Sequence, residues 1–168
     1  MSTQLKAKSL ALLTEQGSLT ELMKELMGAS PVLKCMSEGR GRVNREEQLL
    51  LAIPPRQMAH VREITMGTAQ NDWLFARTII PTKTLKNGAK RLSQMKGVPL
   101  GKVLFGQMKA QRTQMRLDLV FVDEVGLEDL GIAIDFPLWQ RRSVFQLNTG
   151  PLLITEIFLP DCPVYEYQ

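Results

Sequence analysis

Apolar and polar residues follow two periods along this chain, a helical one at the start and a period of two further on. Residues 4–13 carry Leu5, Leu10, Leu12 and Leu13 at positions that suit an amphipathic helix. Ser18-Leu19-Thr20-Glu21 then reads as a capping box, in which Ser18 accepts from the third helical amide and Glu21 reaches back to the cap. Leu22, Met23, Leu26 and Met27 follow at helical spacing as a core-packing stripe, and Gly28 is the expected stop.

From residue 31 the period shortens. A first strand is expected over 31–37, followed by a turn or basic loop at Gly39-Arg40-Gly41-Arg42. Leu49 to Ile53 is apolar and is halted by Pro54-Pro55. In a strand over 59–67, alternation groups Arg62 with Ile64 and Met66, and Val61 with Glu63 and Thr65. A turn at 69–72 returns the chain into a strand over 73–80, where Arg77 shares a face with Trp73, Phe75 and Ile79. Residues 84–96 read as a basic helix interrupted at Gly88, and 98–106 as a turn and short helix with Pro99 near its start. Strands are expected over 113–123 and 138–147, separated by an acidic, glycine-containing loop or short helix. Asn148-Thr149-Gly150 is a hairpin signal leading into a last strand that ends at Pro160. There Leu152, Ile154, Glu156 and Phe158 share one face. The tail, 160–168, is irregular. Strands joined as hairpins make an antiparallel sheet, so the class is α+β, with one domain over residues 1–168.

Composition narrows the function. The 168 residues suffice for one domain with a substantial core. No apolar run approaches the roughly 20 residues of a membrane helix, no cleavable signal is read at the start, and a cytoplasmic location is expected. Cys35 and Cys162 imply no disulfide framework, and with His60 the only histidine no structural zinc site is expected. A nucleophile triad would need His60, and no G-x-S-x-G elbow is present. The net charge of +4 comes from 21 basic and 17 acidic residues spread along the chain. Without RNA-binding aromatic motifs or zinc-finger spacing, this suits an anionic metabolite better than nucleic acid.

Charge on apolar strand faces supplies the candidate chemistry. Glutamate is almost never fully buried without a partner, yet Glu156 stands among Leu152, Ile154 and Phe158. Arg62 and Arg77 stand among apolar neighbours in the same way. If the three faces are one, they enclose a pocket with a cationic end and a carboxylic end, suited to a small anionic ring compound. The alternative is a pair of structural ion pairs.

Five segments carry a further signal: Val61-Arg62-Glu63-Ile64, Ala76-Arg77-Thr78-Ile79-Ile80-Pro81, Pro99-Leu100-Gly101-Lys102-Val103-Leu104-Phe105, Leu138-Trp139-Gln140-Arg141-Arg142-Ser143 and Pro151 to Pro160. In this order, over nearly the whole chain, they resemble the chorismate pyruvate-lyase family. The resemblance implies a six-stranded antiparallel sheet with helical flaps over a buried ligand. It also implies conversion of chorismate to 4-hydroxybenzoate and pyruvate without metal or organic cofactor, as a supply for ubiquinone or other quinone synthesis. It places the catalytic and substrate-binding roles on Arg62 and Glu156, with further substrate contacts at Leu100, at Leu19 through the backbone, and at Arg77. A monomer that neither binds nucleic acid nor inserts into membranes is expected. Two departures stand out: a longer segment between Gly106 and Trp139, with the acidic stretch 123–129 inside it, and Gln140 where a glycine is common. Other readings are an effector-sensing domain of the same fold type, or an enzyme making a different hydroxybenzoate from chorismate. The roughly 30 residues before the first strand are too few for the DNA-binding segment a sensor normally carries. A basic nucleic-acid-binding protein ranks last.

Overall fold

A computed structural model describes residues 3–125, 127 and 130–165. Residues 126, 128 and 129 of the acidic stretch, residues 166–168 of the tail and the Leu5 side chain lie outside what is described. Two helices open the chain, α1 (Thr3–Thr14) and α2 (Leu19–Met27). Ser18 caps α2, its hydroxyl accepting from the Glu21 amide at 3.4 Å, and Gly28 ends the helix in the left-handed conformation at φ 69°. The reciprocal capping box forms elsewhere. At the start of α3 (Arg45–Leu51), the Asn44 side chain accepts from the Glu47 amide and the Glu47 carboxylate accepts from the Asn44 amide, both at 2.9 Å.

Six strands build one antiparallel sheet in the order β1-β2-β3-β6-β5-β4. They are β1 (Val32–Gly41), β2 (Ala59–Gly67), β3 (Asp72–Ile80), β4 (Gln111–Val120), β5 (Leu138–Leu147) and β6 (Gly150–Phe158). The α+β class and the six-stranded antiparallel sheet agree with expectation. Two boundaries differ. β1 continues through Gly41, where a turn was expected, because Gly39, Arg40 and Gly41 pair with Val61, His60 and Ala59. A Cβ at Gly41 would sit 2.8 Å from Val61 Cγ2, so this glycine serves close approach and not a turn. β4 occupies 111–120, two residues earlier than expected. The chain then turns into the helix Val122–Val125, whose Glu124 carboxylate accepts from the Phe121 amide at 2.8 Å.

Both faces of the sheet are covered. On one, Leu12, Leu13, Leu19 and Met23 of α1 and α2 pack on Ile64, Met66, Leu74, Ala76 and Phe158. Beside them the helical turns between Thr82 and Gln107 bring Ala89, Leu92, Met95, Leu100 and Leu104 onto Ile80, Phe145, Leu147 and Leu152. On the other face α3 covers Val61, Ile79, Val144 and Leu153, and the helix Val122–Val125 with Leu127 covers Phe75, Leu138 and Ile157. Each fully buried leucine or isoleucine contributes about 1.5–3 kcal/mol, so these four clusters hold the sheet between its covers. No helix among the described residues is long and apolar enough to cross a membrane.

Candidate functional site

A cavity lies between the two clusters of the first face, with Arg62, Arg112, Arg141 and Glu156 in its lining. About 640 Å³ of atom-free space lies within it, open solvent included. The rest of its wall is mostly apolar, including Ile64, Ala76, Leu104, Phe105 and Phe145.

Two of the expected charged residues meet there. Arg62 projects from β2 and is 2% exposed. Its Nη2 donates to the carbonyls of Lys96 (2.6 Å) and Val98 (2.8 Å), its Nε has no hydrogen-bond partner, and Glu38 lies 3.9 Å from that nitrogen. Burial pushes the Arg62 guanidinium below its ordinary pKa, with Glu38 and Cys35 opposing that shift. Glu38 in turn accepts from the amides of Met95 (3.0 Å) and Lys96 (2.7 Å). Arg62 and Glu38 thus hold, from β2 and β1, the 95–98 loop that leads into the cavity-lining Pro99 and Leu100. Glu156, on β6, meets Arg141 of β5, whose Nε donates at 2.6 Å. The two residues pair across neighbouring strands. Arg141 also donates through Nη1 to the carbonyls of Leu12 (3.0 Å) and Glu15 (3.1 Å) at the end of α1, where a cation complements the helix dipole.

Leu19 and Leu100 line the cavity as well, and each opens a helical turn: Leu19 that of α2, Leu100 that of the stretch running into Lys102–Gln107. Opening residues of a helix carry amides without intrahelical partners. Two sources of backbone N–H groups and positive helix ends therefore border the cavity.

Arg77 is elsewhere. It pairs with Glu63 across β2 and β3, and paired residues share a face, so it stands on the sheet face opposite Arg62. There its Nε donates to Glu47 and its Nη1 to Glu63, both at 2.7 Å, and its Nη2 donates to the Arg42 carbonyl at 2.9 Å. Burial opposes the Arg77 charge, but Glu47 and Glu63 outweigh it and raise the pKa. The expectation that Arg62, Arg77 and Glu156 share one face is thus corrected: Arg62 and Glu156 do, and Arg77 belongs to a separate ion-pair cluster.

Sequence reasoning missed Arg141 and Arg112. Alternation alone groups Arg141 with Trp139 and Phe145, a signal as strong as the one that singled out Arg62. Arg112 carried no such signal, because a bulge between Arg112 and Gln114 sets its face. Gln140 and Arg142 face away from this cavity and line a second one with Arg77. Among the described residues, no group of three or more His, Cys, Asp or Glu side chains is placed to hold a metal ion.

The whole chain, residues 1–168, matches the protein-family model described as chorismate lyase. A probable chorismate pyruvate-lyase of Methylococcus capsulatus is 30% identical over 87% of this chain and 91% of its own length. The chorismate pyruvate-lyase of Yersinia enterocolitica is 33% identical over 91% of this chain and 82% of its own. Among solved structures, the effector domain of PhnF from Mycobacterium smegmatis superposes with a TM-score of 0.65 at 14% identity, over 88% of this chain and 91% of that one. A likeness at that identity concerns the fold.

Proposed function

This chain belongs to the chorismate lyase family, and we propose that it converts chorismate to 4-hydroxybenzoate and pyruvate, with Arg62 and Glu156 at the two ends of the bound ring. The observation that carries this reading is the placement of Arg62 on β2 and Glu156 on β6, two strands apart on one face, with a cavity over both. Strands stand about 4.8 Å apart, so the two backbones are about 10 Å apart. Between side chains reaching inward from that distance, a benzene ring with a carboxylate at one end and a hydroxyl at the other fits.

In this account Arg62 grips the ring carboxylate through Nη1, since the Nη2 hydrogens go to the Lys96 and Val98 carbonyls and Nε faces Glu38. Glu156, held as the anionic partner of Arg141, accepts the hydrogen bond of the ring hydroxyl. Backbone amides at Leu19 and Leu100 add donors. Chorismate is a dianion, and aromatisation of its ring drives the reaction. The protein holds the side arm in a reactive geometry and stabilises the enolate-like charge that develops on the leaving oxygen. No metal or organic cofactor is needed for such chemistry. The protein would work as a cytoplasmic monomer, its product feeding ubiquinone or another quinone. Enclosure of the product between the two apolar clusters predicts slow release. The initial rate should therefore fall as 4-hydroxybenzoate is added, and a rate indifferent to it would remove that feature.

The direct test is incubation of the purified protein with chorismate, without added metal, followed by identification of the aromatic product and assay of pyruvate. Stoichiometric 4-hydroxybenzoate and pyruvate are expected. Unchanged chorismate with folded protein would replace this reading with a ligand-sensing one.

A further inference from the structure

Chorismate brings two carboxylates to the site, and Arg62 accounts for one. The cavity lining holds three arginines against a single glutamate. Arg141 is matched by Glu156 at 2.6 Å. Arg112 has no carboxylate within ion-pair distance among the described residues. Its Nη1 makes three hydrogen bonds, to the carbonyls of Glu15 (3.2 Å) and Gln16 (2.9 Å) and to the Gln16 side chain (3.2 Å). Its Nε is buried with no hydrogen-bond partner, and no described hydrogen bond leaves its Nη2. Nε and Nη2 form one edge of the guanidinium, the pair of donors that can grip a carboxylate side-on. The carbon of the guanidinium lies over the Phe145 ring, 4.9 Å from its centre, a cation–π contact with a residue of the cavity wall. Leaving such a donor buried and unmatched is unfavourable. Burial, and after it the charge of Arg141, push the Arg112 pKa down against the opposing charges of Glu156 and Glu15, so a further anion here would favour the guanidinium.

Position agrees with charge. Arg112 and Arg141 both donate to the Glu15 carbonyl, which brings their heads together beside Glu156. In chorismate the ether-bearing carbon is next to the hydroxyl-bearing carbon. With the ring carboxylate on Arg62 and the hydroxyl on Glu156, the enolpyruvyl arm therefore leaves the ring at the Arg112 end.

We propose that Arg112 binds the carboxylate of the enolpyruvyl arm, the group that chorismate has and 4-hydroxybenzoate lacks. On the lyase reading above, the bond between the ring carbon and the ether oxygen breaks with its electron pair moving to oxygen. The hydroxyl-bearing carbon loses its proton, and that C–H pair completes the aromatic ring. The proton ends on the methylene of the released enolpyruvate, giving pyruvate, so no atom or electron enters from outside. Arg112 stands beside the leaving oxygen and stabilises the enolate charge as well as the carboxylate. Once pyruvate departs, Arg112 has nothing left to hold, and the product stays on Arg62 and Glu156 alone.

The test compares wild type, Arg112→Gln and Arg112→Lys. Three quantities are measured: kcat/KM for chorismate, the affinity for 4-hydroxybenzoate, and the affinity for a stable aryl ether carrying a carboxymethyl arm beside the hydroxyl of 4-hydroxybenzoate. Arg112→Gln should lose about a hundredfold in kcat/KM, the scale of one charged hydrogen-bonded contact, and a similar factor for the aryl ether. Its affinity for 4-hydroxybenzoate should stay within about threefold. Arg112→Lys keeps the charge and a donor for the Glu15 carbonyl and should recover part of the loss, which covers the case in which the glutamine variant folds poorly. Parallel loss for all three ligands would show that Arg112 only fastens the end of α1 and would overturn the proposal, as would no loss at all. Failure of the wild type to turn over chorismate would instead overturn the lyase reading. The contrast between aryl ether and 4-hydroxybenzoate would then still decide whether Arg112 reads a second carboxylate.

Discussion

The two faces of this sheet use the same residue type in opposite ways. On the cavity face Arg62, Arg112 and Arg141 spend most of their hydrogen bonds on backbone carbonyls, and Glu156 is the one carboxylate in the lining. On the other face Arg77 and Arg142 are met by side chains: Glu47 and Glu63 for Arg77, Glu46 and Asp118 for Arg142. Carbonyls satisfy the hydrogen bonds of an arginine without cancelling its charge, whereas carboxylates cancel both. The cavity face is therefore left with three arginines against Glu38 and Glu156, beside an apolar cavity, whereas on the other face the four carboxylates outnumber Arg77 and Arg142. A dianionic ligand gains from the first face and nothing from the second.

Substitutions sharpen or break this contrast. The largest effect is expected for Arg62→Ala. Truncating one partner of a buried charged contact costs about 2–5 kcal/mol, so kcat/KM for chorismate should fall about a thousandfold. Steady-state kinetics on protein with an unchanged circular dichroism spectrum would check this, and near-full activity would remove Arg62 from the site. Next comes Glu156→Gln, which keeps the shape but removes the anion, with an expected loss of about a hundredfold in kcat. On the other face, Arg77→Ala leaves Glu47 and Glu63 without their cation. It should cost about 3 kcal/mol of stability in denaturant unfolding, while kcat/KM of the folded enzyme stays within about twofold. A large kinetic loss from Arg77→Ala without loss of stability would erase the distinction between the faces. The smallest effect is expected for Leu19→Met, a volume-conserving change at a residue that contributes through its backbone. Its kinetic constants should lie within about twofold of the wild type.

Much of the fold follows from alternation and turn chemistry. The hairpin of β2 and β3, the Gly150 start of β6 and the Gly28 stop of α2 all lie where local rules put them. Within each strand the parity was also readable, which is why Arg62 and Glu156 stood out. What parity cannot supply is which face of one strand joins which face of the next. That depends on hairpin register, and here the register sets Arg77 opposite Glu63 and away from Arg62. Alternation sets Arg141 with Trp139 and Phe145, apart from its neighbour Arg142, but that it meets Glu156 depends on the β5–β6 register. For Arg112 alternation even misleads, since without the bulge after it the side chain would fall on the face of Gln114 and Arg116.

The contrast between the faces is tested most directly by a crystal structure of the protein with 4-hydroxybenzoate. The account predicts the ring in the cavity between the two apolar clusters, its carboxylate against Arg62 and its hydroxyl within hydrogen-bond distance of Glu156. A ligand seated among Arg77, Gln140 and Arg142 on the other face, with the Arg62 cavity unchanged, would contradict it.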